Sequence, residues 1–319
     1  MPAATTTDVQ SDRLLPSARR LSRRLVLGGI AASLVARSAG PRGARAQDGI
    51  VLGALAVGMP HGAADAELLR RSTSGRARLV GSMTAYGGSA VAATALLRRG
   101  GRLAAAVGLA VPALHFTEAE LACWPSPLSG RSGVPRVLAA TATTVAIPRA
   151  VGLLGGAKGP SAAGRRGGLG LLAAVAPRDR VRLLLTCAAT GCIAAGLARA
   201  GDREVALDLA LLTAAPLLTP PPVSFALTFG AWHALRHTAR VADSLAASGA
   251  LPAGLSLGRA AVLLARRSAW ASAVGAAGAA VVAVRSPTRS ADDALSAVLG
   301  LTVPHLVTVA ATLGRRRAA

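Results

Sequence analysis

Ten apolar blocks divided by short arginine-rich breaks constrain this chain more than any other feature of its sequence. The blocks run over 50–64, 79–97, 103–117, 137–154, 169–176, 183–198, 205–219, 223–235, 260–284 and 294–313. Between them stand Arg70/Arg71/Arg76/Arg78, Arg98/Arg99/Arg102, Arg165/Arg166, Arg178/Arg180/Arg182, Arg199/Arg203 and, at the end, Arg315–Arg317. A helix needs about 20 apolar residues to cross a bilayer, and some blocks reach that length alone. Backbone groups must be satisfied inside lipid, which makes helices the default; barrel strands alternate in polarity and these runs do not. The pattern predicts an all-α fold, a polytopic transmembrane helical bundle of about seven to nine spans. The lipid bilayer is then a partner, and the expected location is the cell membrane, multi-pass.

Composition agrees. Charged residues make up 16% of the chain, against about 25% in an ordinary soluble domain. Thirty-six basic residues stand against 14 acidic ones, for a net charge of +22, and Lys158 is the single lysine. So basic a chain invites a nucleic-acid reading. However, the arginines lie between apolar blocks, as membrane loops require, and aromatic residues for base stacking are only 2%. No nucleic-acid partner is expected. The bias of arginine over lysine, with abundant Ala and Gly, carries no function. Cys123, Cys187 and Cys192 have no CxxC spacing and sit in apolar context, so they read as small buried hydrophobes.

Residues 1–48 form a basic N-terminus expected to be partly disordered, and 49–319 a single transmembrane helical domain. Within the first part, Ser22-Arg23-Arg24-Leu25-Val26-Leu27 resembles a twin-arginine export signal, with Ala44-Arg45-Ala46 as its cleavage site. The rival reading of Leu25–Ala36 is a weak first membrane helix or a basic anchor. Ala and Gly along the later blocks let helices approach closely. Pro60, Pro112, Pro148, Pro216 and Pro304 interrupt blocks, and bent helices mark internal sites in membrane proteins. Nothing fixes the orientation or the oligomeric state.

The five histidines are the most informative residues. His61, His115, His233, His237 and His305 all lie in or at the ends of apolar blocks. Ionisable groups there are costly and suggest function. His233 and His237 are at i and i+4, so on a helix both imidazoles reach one metal ion. Phe225 and Phe229 extend the same stripe. Asp65 follows His61 by four residues, and Glu118 and Glu120 follow His115 closely. Such carboxylates orient ligating imidazoles, and Asp65 and Glu118 are the expected partners. Imidazoles without thiolates suit Fe, Zn or Cu. Against this stands the plain reading of each histidine as a hydrogen-bonded packing or gating residue.

Four stretches carry a resemblance: Gly58-Met59-Pro60-His61-Gly62-Ala63-Ala64-Asp65, Leu114-His115-Phe116-Thr117-Glu118-Ala119-Glu120, Phe229-Gly230-Ala231-Trp232-His233-Ala234-Leu235-Arg236-His237 and Thr302-Val303-Pro304-His305. In this order the chain resembles the Brp/Blh family of bacterial β-carotene 15,15′-dioxygenases, multi-pass membrane enzymes. The resemblance implies a non-haem Fe(II) held by His61, His115, His233 and His237, with His305 beside the substrate or the ligands. It implies O₂-dependent central cleavage of β-carotene to two retinals. The family usually has Leu at Ala64, Gly at Thr117, Asp at Glu120 and Ser at Ala234. These departures touch no proposed ligand and bear on which carotenoid is used.

On that reading Phe116, Phe225, Phe229 and Trp232 line a substrate tunnel near the metal. Arg236, between two of the histidines, reads as a solvated or interfacial arginine. A di-iron desaturase needs about eight histidines, and a single haem leaves three of these five unexplained. An inactive or transport-type scaffold of the same fold, and cleavage of a different carotenoid or apocarotenoid, are the alternatives.

Overall fold

The computed structural model describes residues 13–99, 111, 114–124, 180–269 and 290–313. Among them every regular element is helical: α1 (Leu15–Arg37), α2 (Gly40–Ser72), α3 (Arg76–Arg99), α4 (114–123), α5 (Arg180–Arg199), α6 (Arg203–Leu218), α7 (Pro221–Ala226), a π-helical turn (Leu227–Ala234), α8 (Leu235–Ala247), α9 (Leu257–Arg267) and α10 (Ser290–Leu313). The all-α expectation holds. Among the described residues, no helix is long and apolar enough to cross a membrane. The blocks 137–154 and 169–176, most of 103–117 and half of 260–284 lie outside the described residues, with Pro112 and Pro148.

The elements follow local sequence logic. Gly75 and Gly201 have φ of 89° and 90°, a left-handed conformation that favours glycine, and they close the short α2–α3 and α5–α6 turns. Ser256 caps α9, its hydroxyl accepting from the Arg259 amide at 3.4 Å. Pro221 stands in the first turn of α7, where its missing N–H is harmless. α6 and α10 run on through Pro216 and Pro304, so these prolines do not end their helices.

The π-helical turn lies at the centre, packed on α1, α2 and α7, while α3 lies along α10 and α5 along α6. Val26, Ile30, Ala54, Leu212, Ala215, Val223, Leu227, Ala231 and Trp232 form one buried apolar cluster around it. A second joins α2, α8 and α9 through Leu68, Val241, Leu245 and Leu264. Close approach depends on glycine. A Cβ on Gly230 would overlap the Ala54 carbonyl, and one on Gly58 would stand 2.8 Å from the Gly230 Cα. Small residues thus allow close packing between α2 and the π-helical turn.

The N-terminal stretch is folded into this core. α1 buries Leu15, Ala18, Arg19, Ser22, Val26, Ile30 and Ser33. α2 continues from Gly40 to Ser72 without a break, across the division expected at 48/49 and through Ala44-Arg45-Ala46. Residues 1–12 lie outside the described residues.

Candidate metal centre

Five elements each bring part of the site. α2 supplies His61 and Asp65, α4 His115 and Phe116, the π-helical turn Phe229 and His233, α8 His237, and α10 His305. All five imidazoles are buried, none more than 7% exposed. Their rings converge. The His61 centroid is 4.4 Å from that of His305, 4.6 Å from His237 and 5.2 Å from His233. The His115 ring lies 4.7 Å from His305, 5.2 Å from His233 and 5.8 Å from His237.

The stripe expected at steps of four is present. Phe225 stacks on Phe229 at 5.4 Å, Phe229 on His233 at 6.3 Å and His233 on His237 at 6.0 Å, each pair within 23° of parallel. In a regular α-helix a step of four advances about 40° around the axis. The wider π turn reverses part of that drift, which keeps the rings in one row. Single π turns inside α-helices are frequent at functional sites.

His305 has the most complete surroundings. Its Nδ1 lies 2.8 Å from both Asp65 carboxylate oxygens, and Asp65 Oδ2 also accepts from the Tyr86 hydroxyl at 2.6 Å. A carboxylate only accepts, so the proton sits on Nδ1 and the Nε2 lone pair faces inward. That Nε2 is 3.1 Å from His115 Nε2, a separation at which both nitrogens can face one cation. A metal-ligating histidine held by a carboxylate has this arrangement. Asp65 was expected to orient His61, its neighbour on the helix. Its oxygens instead meet His305 across the fold.

The donor set fits a metal ion. His61, His115 and His305 offer ring nitrogens all within 4.8 Å of one another. His61 Nδ1, His233 Nε2 and both nitrogens of His237 are buried without a hydrogen-bond partner. A buried nitrogen left unpaired costs about 1–3 kcal/mol. A cation beside His61, His115 and His305 would give such nitrogens a partner.

Three expectations need correction. Glu118 is exposed beside Leu114, because Phe116, Ala119, Glu120 and Cys123 take the buried face of α4. The buried carboxylate is Glu120, which accepts from Trp232 Nε1 at 2.9 Å and faces Arg236 Nη1 at 3.4 Å. Trp232 does not flank the imidazoles. It is one residue from His233 along the π-helical turn and is turned into the apolar core. Arg236 is neither solvated nor interfacial: it is fully buried, with Asp208 at 2.9 Å and its guanidinium carbon 3.6 Å from the Trp232 ring centre.

Phe116 and Phe229 do meet the cluster. The Phe116 ring is 4.1 Å from that of His233, and Phe229 is 6.0 Å from His61. Sequence reasoning missed Tyr86, Asp208 and Ser22. Tyr86 is the single tyrosine of the chain, a signal that was open to use. Asp208 lies in an apolar block, where an acid needs a partner.

Fold and site together define a class: all-helical proteins that gather buried histidines from separate helices into a site able to hold a metal ion. Residues 52–312 match the family described as Beta-carotene 15,15'-dioxygenase. That is most of the chain, and the chain belongs to this family, a family of oxygenase-type enzymes. No curated protein and no solved structure matches it.

Proposed function

We propose that this protein is a carotenoid-cleaving dioxygenase that splits the 15,15′ double bond of β-carotene into two retinals. Each aldehyde takes one atom of O₂. The observation that carries the reading is the convergence of five buried imidazoles in a chain that matches the family over 52–312. His61, His115, His233 and His237 would hold Fe(II). His305, held by Asp65, which in turn accepts from Tyr86, belongs beside them in the ligand set. Iron(II), when bound, supplies the activation of O₂.

The chain's own residues do the rest. Asp65 keeps the His305 proton on Nδ1 and leaves Nε2 free for the centre. Phe116, Phe225 and Phe229 form a rigid aromatic wall against which a polyene packs, and they exclude water from the imidazoles. Position along this wall, not recognition of the bond itself, selects the site of cleavage.

We place the protein in the cell membrane, where a C40 hydrocarbon is dissolved. Leu21, Leu27, Leu34, Val35, Leu52, Val80, Val91, Leu96, Leu114, Val262 and Val307 are exposed, and large apolar side chains turned outward suit lipid contact.

The test is a cleavage assay. The membrane fraction is extracted in detergent, loaded with Fe(II) and supplied with β-carotene and O₂, and the products are separated by chromatography. Retinal as the dominant product, lost in His237→Ala, supports the proposal. A longer apocarotenal keeps the chemistry and changes the substrate or the position of the cut. Absence of both product and iron identifies an inactive or transport-type scaffold.

A further inference from the structure

α1 lies outside the matched residues 52–312 and reads in the sequence as a leader or a weak anchor. We propose that it is instead a working part of the metal centre. Ser22 and Arg23 are positioning residues that fix, through Asp208 and Arg236, the helices that carry His115, His233 and His237. The proposal rests on the metal-binding reading given above.

The contacts form one chain, buried around Arg236 and open to solvent at Glu204. Arg236 stands in sequence between His233 and His237. Its Nε donates to Ser22 Oγ at 2.9 Å, and its Nη1 donates to Asp208 Oδ2 at 2.9 Å and approaches Glu120 Oε2 at 3.4 Å. One side chain on α8 therefore reaches α1, α6 and α4. Glu120 is on the helix of His115 and is also held by Trp232 Nε1, next to His233. On the far side, Asp208 accepts from Arg23 Nε at 2.6 Å, and Arg23 Nη2 donates to the Glu204 carbonyl at 3.0 Å. Arg19 pairs with Glu204 at 2.8 Å. The Ser22 hydroxyl donates to the Arg19 carbonyl at 3.0 Å, which leaves a lone pair for Arg236.

This arrangement specifies geometry. The guanidiniums of Arg19, Arg23 and Arg236 balance the carboxylates of Glu120, Glu204 and Asp208. A guanidinium presents its donors in a fixed plane, so its partners dictate its orientation. A buried polar network is favourable only when its members are satisfied together. Arg19 Nε and Nη2 and Arg236 Nη2 have no hydrogen-bond partner, and the contacts that are made, Glu120 with Arg236 and Trp232, set the register of α4 against α8 and with it the separation of His115 from His233 and His237. A metal site demands its ligands within about 0.5 Å of the productive geometry. α1 contributes Arg19, Ser22 and Arg23 to the network, and the last two belong to the stretch that resembles an export signal.

The test is titration of the full-length protein in detergent with Co(II), whose visible bands report ligand geometry, and separately with Fe(II). The wild type is compared with Ser22→Ala and Asp208→Asn. The expected result is shifted Co(II) bands and metal binding weakened about tenfold or more in both variants, with helical content retained. Wild-type bands and affinity in the variants overturn the proposal, even where the melting temperature falls. If Asp208→Asn fails to fold, Ser22→Ala decides, since it removes one hydroxyl and no charge. A wild-type protein that binds neither ion overturns the metal reading itself, and that failure is distinct from the first.

Discussion

Asp65 and His305 are 240 residues apart in the chain, and both carboxylate oxygens of Asp65 lie 2.8 Å from His305 Nδ1. The pair joins α2 to α10 and aims the other ring nitrogen at His115. Replacing Asp65 with Asn removes the negative charge and one of the two acceptor oxygens, and weakens Fe(II) binding about 10–100-fold. Tyr86→Phe, one bond further out, weakens it less. Metal titration monitored by calorimetry measures both. Equal affinity in Asp65→Asn and the wild type sinks this role for the carboxylate.

His233 and His237 stack at 6.0 Å with buried, unpartnered ring nitrogens. Either residue changed to alanine abolishes iron retention and carotenoid cleavage. Iron per chain, measured by elemental analysis after desalting, reads the first effect. Full activity in either variant removes that residue from the ligand set.

Glu118 and Glu120 differ by two positions and by environment. Glu118→Ala, on the exposed side of α4, changes stability by no more than about 0.5 kcal/mol and leaves iron content unchanged. Arg236→Met leaves Asp208 and Glu120 buried without their shared partner and costs about 3–5 kcal/mol. Thermal denaturation followed by circular dichroism separates the two. Similar melting temperatures for both variants contradict the burial difference.

Gly230 is a point of close approach between α2 and the π-helical turn. A methyl group there forces apart the helices that carry His61 and His233. Gly230→Ala costs about 1–3 kcal/mol and lowers iron content as well as the melting temperature. Normal iron content in a destabilised variant shows that the centre tolerates the shift.

Phe116 touches the His233 ring at 4.1 Å but has no metal-binding atom. Phe116→Ala keeps iron near the wild-type level, slows cleavage and broadens the set of products, because the aromatic wall is shortened. Product analysis by chromatography, with iron content as the control, tests this. Loss of iron in Phe116→Ala instead assigns the ring to support of the ligands.

What was legible in the sequence was local. The row Phe225, Phe229, His233, His237 follows from helical spacing, and the structure keeps it through a π turn that spacing does not reveal. Five histidines in apolar blocks gave the candidate metal centre its members, because a buried imidazole needs a reason to be there. Helices as the only regular element among the described residues also follow from the pattern of apolar runs. These readings depend on neighbours within a few positions, which the chain itself fixes.

The partners of those residues were decided by the tertiary structure. Helical spacing assigns Asp65 to His61, four residues away, but the packing of α10 against α2 gives it to His305. Arg236 carries the sequence signature of a solvated charge, yet Asp208 and Glu120, at separations of 28 and 116 residues, bury and neutralise it. α1, whose arginines resemble an export signal, places Ser22 and Arg23 in that same network. Periodicity says which face of a helix is apolar. A buried ion pair is set by which helices meet, and only the folded chain brings α1, α4, α6 and α8 around one guanidinium.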